Sequence, residues 1–267
     1  MDRRRPDQIR AAIRGGEWTG PTTGLAAGYC QANLLVLPAA VADDFEHFCA
    51  LNPGPCPLIE RLAPGASAPA RSAPRADLRT DLPRYRRHGA GRFEESTDAT
   101  GWWRDDAVAF LMGCSFTFEQ ALVGAGLPLR HQDEGRNVSM YRTGRPTAAA
   151  GPFQGPLVVS MRPFPEARVA EVVDLTAPYR SAHGAPVHCG DAADLGIADL
   201  ARPEWGDPVT IRAGEVPVFW ACGVTSQVAV ERALETGACS WALSHAPGHM
   251  FITDLPVSAA RSRRVHR

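Results

Sequence analysis

The chain contains no lysine: all 28 of its basic residues are arginine. That absence excludes a lysine Schiff base, a pyridoxal-phosphate aldimine, the lysine of a Walker-type phosphate loop and the strand lysine of protein kinases. Net charge is also nearly absent, at -1 from 28 basic against 29 acidic residues. Nothing in that balance draws in nucleic acid or an anionic membrane surface. No apolar run approaches the ~18 residues of a membrane span. The opening stretch, with arginines at 3 to 5 ahead of PDQIRAAIRGG, lacks the apolar centre of a secretory signal. Cysteines number seven, an odd count with no C-x-x-C pair, which argues against a zinc ribbon and a disulfide framework. Missing too are G-x-G-x-x-G after a strand, G-x-S-x-G and an EF-hand loop, the marks of nicotinamide binding, serine hydrolysis and calcium binding. The expectation is a cytoplasmic protein with reduced thiols.

What is present reads as a globular chain of 267 residues, 45% hydrophobic, with 25 glycines and 23 prolines, below the level that signals disorder. Ile9 and Ile13 predict a helix over Asp7 to Arg14, ended by Gly15 and Gly16. QANLLVL is strand-like, and Pro38 opens a helix through AAVADDFEHFCALN with Val41, Phe45 and Phe48 on one face. APGASAPARSAPRA, residues 63 to 76, predicts a surface loop too rich in Pro, Ala and Ser to pack. Phe110, Cys114 and Phe118 align at i, i+4 and i+8 and predict a helix from Asp105 through Leu122. From about Arg136 the texture changes. PLVVSMRP reads as a strand, EARVAEVVDLTAPY as a helix, and GAPVHCG, DPVTIRAG and EVPVFWA as strands, a compact β-α-β-β unit set into a larger one. A helix then follows with Ser226 as its N-cap, and SWALSHAP forms a strand running into the loop GHMFITD, ahead of the basic tail RSRRVHR.

Four polar stretches carry candidate chemistry. NVSMYRTGRP holds Asn137, Tyr141, Arg142 and Arg145, and its guanidinium forks suit a carboxylate, although a solvated surface strand fits the same residues. GAPVHCGD offers His188, Cys189 and Asp191 as an acid/base centre; strand alternation places His188 and Cys189 on opposite faces and rules out a dyad between them. FWACGVTSQ is a strand-to-helix turn, where free N–H groups bind a carboxylate or lower a thiol pKa, so Cys222 is the leading nucleophile candidate. A buried, inert cysteine is the plainer alternative. SHAPGHMFITD holds His245, His249 and Asp254. Pro247 and Gly248 break any helix there and the glutamate of a zinc protease is missing, so that site is rejected. A loop could still gather the three for proton transfer or, more weakly, for a divalent metal. From residues alone the reading stops at an arginine-rich pocket with His, Cys and Asp.

Taken in order, QANLLVLP, DLRTDLPRYR, LMGCSFTFEQAL with LPLRH, NVSMYRTG, PLVVSMRP, GAPVHCGD, EVPVFWACGVTSQ and SHAPGHMFITD resemble the successive signatures of a hydro-lyase family that contains the D-glutamate cyclases. The resemblance runs from about Ile13 to Pro256. Ser139 and Ser226 stand where the family pattern has Pro, and Ala66 to Ala76 is an enlarged loop. The resemblance implies a cytoplasmic carbon–oxygen lyase that converts D-glutamate to 5-oxo-D-proline and water. It implies an α/β fold with a three-layer α/β/α main domain, discontinuous over residues 1–135 and 217–267, and a smaller two-layer α/β domain over 136–216. On that basis Arg142 and Arg162 anchor the α-carboxylate, with Asn137, Tyr141, Thr225 and His249 around the substrate. His188 or His245 removes a proton, the turn from Cys222 to Thr225 forms an oxyanion site, and Asp254 joins the catalytic set. Direct attack by the amine is favoured over a thioester at Cys222. No cofactor is expected, a divalent metal being the weaker option. The expected partner is a small carboxylate, with no nucleic acid and no membrane, and a C2 homodimer is left open. A dehydratase or amide hydrolase acting on another small carboxylate and a non-catalytic small-acid binding protein also stay open.

Overall fold

Strand β1 (Tyr29–Pro38), the run YCQANLLVLP, forms the centre of the larger of two sheets. It follows helix α1 (Pro6–Arg14) and leads into α2 (Ala39–Leu51) in the computed structural model, which describes residues 4–89 and 92–261, so the tail from residue 262 lies outside the described residues. Then come β2 (Leu58–Arg61), β3 (Tyr85–Gly89), β4 (Arg92–Ser96), β5 (Ala107–Gly113), α3 (Phe116–Gly124) and α4 (Arg130–Asp133). A second sheet follows, built from β6 (Ser139–Pro146), β7 (Pro156–Pro165), β8 (His188–Cys189) and β9 (Glu215–Ala221), with α5 (Val169–Thr176) between β7 and β8. Helix α6 (Val224–Glu235) returns the chain to the first sheet through β10 (Ala242–His245) and β11 (Phe251–Pro256).

The fold is mixed α/β, and all the described pairings are antiparallel. The first sheet runs β2-β5-β1-β10-β3-β4, with β11 sharing the edge of β1 beyond β10; the second runs β6-β7-β9-β8. Alternation sorts β1 between two cores. Leu35 and Leu37 pack with Phe45, Phe48 and Phe110, while Leu34 and Val36 face Tyr85, Leu111, Trp241 and Phe251. A strand buried on both faces reads as an unbroken apolar run. A third core joins the sheets: Phe118 and Leu122 of α3 pack with Val172 of α5 and with Phe164 and Trp220 of the second sheet. Among the described residues no helix is long and apolar enough to cross a membrane.

Several local expectations are corrected. The helix expected from Asp105 is strand β5 up to Gly113, and helix begins only at Phe116. All seven residues of β5 are buried, so neither period shows. Residues 63 to 76 form no regular element yet pack well: Ala73 and Ala76 lie in the core, and Glu60 accepts from the Ser72 backbone N–H at 2.9 Å and its hydroxyl at 2.7 Å. DPVTIRAG is irregular rather than a strand, whereas the FITD of the expected loop belongs to β11. Ser226 is no cap: α6 starts at Val224, and the Ser226 hydroxyl donates back to the Gly223 carbonyl at 2.7 Å.

Candidate active site

Two turns of the same build face each other where the sheets meet. In the first sheet β5 ends at Gly113 and passes through Cys114 and Ser115 into α3; in the second β9 ends at Ala221 and passes through Cys222 and Gly223 into α6. The residue after each cysteine has nearly the same backbone, φ -59° and ψ -22° at Ser115 against φ -61° and ψ -20° at Gly223. Between the turns lies a narrow pocket. Its polar walls are Asn33, Cys114, Ser115, Ser160, His183, Cys222 and His245, and no carboxylate or guanidinium lines it. Both helices point their positive ends at this space.

Two glycines make the close fit possible. A Cβ on Gly113 would sit 1.6 Å from the Ser181 carbonyl oxygen, so only glycine lets that turn lie on the end of β5 and bring His183 over the pocket. A Cβ on Gly223 would sit 2.4 Å from the Asn33 side chain. Asn33 donates to the Gly113 carbonyl at 2.7 Å and so reaches from one turn to the other.

The titrating groups are held neutral by burial. The Cys114 thiol is pushed up to about 12 and that of Cys222 to about 11; the N–H groups of Phe116 and Val224 and the charge of Arg162 pull the other way and lose. The expectation that the turn lowers the Cys222 pKa is therefore corrected: desolvation outweighs the helix end. His183 has a left-handed backbone, φ 77°, unusual for a residue with a Cβ. Its Nδ1–H donates to the Gly54 carbonyl at 2.8 Å, which leaves Nε2 as an acceptor. His245 is 1% exposed; its Nδ1 lies 3.1 Å from both the Leu34 N–H, which donates to it, and the Leu34 carbonyl oxygen, and its Nε2 lies 3.5 Å from the Gln227 amide nitrogen. Burial lowers both imidazoles to about 4.

Behind the pocket wall sits a buried ion network. Arg162, 1% exposed, donates through Nη2 and Nε to Glu119 Oε1 at 2.6 and 3.1 Å, and its guanidinium lies 5.6 and 5.5 Å from the rings of Phe118 and Trp220. Glu119 also meets His131 Nε2 at 3.2 Å and accepts from Gln132 at 2.8 Å. Burial alone would raise this carboxyl, yet the charges of His131 and Arg162 hold it down to about 2.

Of the residues expected from sequence, Cys222 and His245 line the pocket. Arg162 stands behind the wall, already committed to Glu119. Thr225 fastens α6 to β7, its hydroxyl accepting from the Val158 N–H at 3.0 Å, and Asn137 donates to the Pro247 carbonyl at 3.3 Å beside Gly248 of the wall. His249 turns its Nδ1 to that same carbonyl at 3.0 Å. The others lie elsewhere. Arg142 is on the surface, 3.4 Å from Glu231 and over the Trp205 ring at 5.0 Å; Tyr141 donates to the Leu200 carbonyl at 2.7 Å. His188, on edge strand β8, bonds the Asp191 carbonyl at 2.7 Å, and Asp254 pairs with Arg10 at 2.8 Å. Among the described residues no three His, Cys, Asp or Glu side chains converge as a ligand set, so His245, His249 and Asp254 form none.

Sequence reasoning passed over Asn33, Cys114, Ser115, Ser160 and His183. GCSFTF carries the same strand, cysteine and helix order as ACGVTS, a signal hidden once β5 is taken for helix. Thiol chemistry separates the cysteines. Alkylation by iodoacetamide at pH 7.5, followed by mass spectrometry, is expected to label the exposed Cys189 first. Cys222 carries about 10²-fold and Cys114 about 10³-fold less thiolate than a free cysteine, and both should react only after unfolding. Early labelling of Cys222 would mean an activated thiol instead.

The family described as D-glutamate cyclase matches residues 108–254. A Syntrophobacter fumaroxidans protein named "Putative hydro-lyase" is 55% identical over 251 residues, covering 94% of this chain and 95% of its own length. Proteins so described from Bacillus licheniformis and Stutzerimonas stutzeri are 50% and 52% identical, each over 94% of this chain and over 95% and 93% of their own lengths.

Proposed function

The chain belongs to the D-glutamate cyclase family and is a carbon–oxygen lyase, and on that premise we propose that it converts D-glutamate to 5-oxo-D-proline and water. The observation that carries this reading is the meeting of two helix N-termini over a pocket of neutral donors with no carboxylate in its wall. Such a pocket favours a substrate that brings two carboxylates of its own.

The amine attacks the γ-carboxyl carbon, an N–C bond forms, and a tetrahedral intermediate carries negative charge on oxygen. One C–O bond then breaks. Two protons from the ammonium leave with that oxygen as water, and one N–H stays in the lactam. His183, with Nε2 free to accept, takes the ammonium proton and returns it to the departing oxygen. His245 is the second imidazole on the wall. Cys114 and Cys222, protonated at neutral pH, offer S–H groups to the oxyanion rather than a thiolate to the carbonyl. This supports direct attack by the amine. Replacing Cys222 by Ala should then cost about tenfold in turnover, one neutral hydrogen bond, where a thioester route requires complete loss.

The test is a proton NMR time course of the purified chain with D-glutamate and with L-glutamate, each with and without divalent metal and chelator. The expected result is 5-oxoproline from the D isomer alone, unaffected by chelator. Product lost on chelation would return a metal to the reaction. No change in either isomer after a day at high enzyme would overturn the substrate.

A further inference from the structure

Ser115, in the turn after β5, and Ser160, on β7, share one guanidinium. Ser160 and Arg162 are two apart on β7 and so project from the same face. Arg162 Nη1 donates to Ser160 Oγ at 3.2 Å, and Nη2 donates to Ser115 Oγ at 3.0 Å. A hydroxyl oxygen that accepts from a guanidinium keeps its own hydrogen to give away. Both serines are buried, both line the pocket, and neither hydroxyl donates to a partner among the described residues. Ser115 also holds the position before α3 where a serine normally caps the first turn, yet its side chain makes no such bond. Its oxygen is turned to Arg162 instead. The guanidinium cannot swing to a substrate, because Glu119 holds two of its nitrogens and the rings of Phe118 and Trp220 flank it.

Resting on the reading of the site as one that cyclises an amino dicarboxylate, we propose that the Ser115 and Ser160 hydroxyls are the donor pair that binds one oxygen of the reacting carboxylate. Arg162 is the positioning residue that fixes their direction. Two donors that each accept from a cation are polarised toward an anion. They hold the ground-state carboxylate and tighten as the tetrahedral intermediate gathers charge on that oxygen. The net charge needed to hold the substrate is thus delivered through two neutral hydroxyls, with the cation kept out of reach of solvent.

The experiment compares Ser115→Ala, Ser160→Ala, the matching Thr variants and Arg162→Lys in two assays, turnover of D-glutamate and binding of glutarate followed by NMR titration. Each Ala variant is expected to lose about 10²-fold in kcat and to weaken glutarate about tenfold. The Thr variants, which keep the hydroxyl, should recover most of both. In the Arg162→Lys background, adding Ser115→Ala should cost about threefold or less, because the serine is no longer aimed. Ala variants that bind glutarate and turn over like the parent, or Thr variants no better than Ala, would overturn the proposal. A parent that binds glutarate through these serines yet leaves D-glutamate unchanged would keep the donor pair and overturn the cyclase reading instead.

Discussion

Replacing Glu119 by Gln is expected to lower the stability of the folded chain by about 3–5 kcal/mol, the usual result of stripping one partner from a buried ion pair. In a protein of this size that is a fall of about 10 °C in melting temperature. The reason is what remains. Arg162 is 1% exposed, and without the carboxylate its charge stays among Phe118, Trp220 and two serine hydroxyls. Acid distinguishes this cause from a packing defect. The folded carboxyl is held at about 2, below its ordinary 4.5. Its stabilisation is therefore complete above pH 4.5 and disappears as pH falls through 2. The gap between parent and variant should be flat from pH 7 to 5 and narrow below that. The buried histidines work against stability earlier in the titration. His88, His183 and His245 sit at about 4 when folded against 6.5 when free, so the unfolded chain takes up their protons first and both proteins weaken from pH 6.5 to 4. Urea melts at pH 7, 5 and 3 would read both steps. A variant that melts within about 2 °C of the parent at pH 7 would show that the network contributes nothing net.

The second large effect is on turnover. His183→Asn is expected to lose about 10²–10⁴-fold in kcat while keeping its fold, because asparagine tolerates the left-handed backbone at this position. The pH profile is the sharper readout. With both pocket imidazoles lowered to about 4, the acid limb of kcat/KM should fall near pH 4, not near the 6.5 of a free histidine. Above that limb the ring is neutral and able to accept; below it the ring is charged and cannot. The residual activity of His183→Asn should lose that limb, whereas His245→Asn should keep it. An unchanged limb in His183→Asn, or one near 6.5 in the parent, would remove His183 from the role of base.

Much of the frame was legible in the residues. Helices α1 and α2 and strand β1 follow from spacing, Pro38 and the unbroken apolar run, and the strand-to-helix turn at Cys222 was recognisable as a place for chemistry. What misled was burial on both sides. β5 shows no alternation because Val108, Phe110 and Met112 enter one core while Ala107, Ala109 and Leu111 enter the other. Taking it for helix concealed Cys114 and Ser115 at the mouth of the second turn. His183 gave only S-A-H-G, which reads as an ordinary bend; its importance comes from Gly113, some seventy positions earlier, making room for that bend. The arginines show the same limit. Arg142 and Arg162 are equivalent on paper, and only the arrival of Glu119, 43 positions away from Arg162, decides that one turns inward while the other meets solvent.

The placement of β1 also sets an order of assembly. One of its flanks is filled by β5, but the other is filled by β10 and β11, and Leu34 meets His245 across a separation of 211 positions. As the chain leaves the ribosome, the strands of the second sheet, all between residues 139 and 221, emerge as one uninterrupted block and can pair among themselves. β1, made much earlier and apolar on both faces, must wait for nearly the whole length to be synthesised before its open flank is closed. A nascent chain halted before β10 thus carries an apolar strand with one flank unpaired and lacks the His245 wall. Synthesis of this protein should lean on holding chaperones for most of its duration, and catalytic competence should come only with its closing segment.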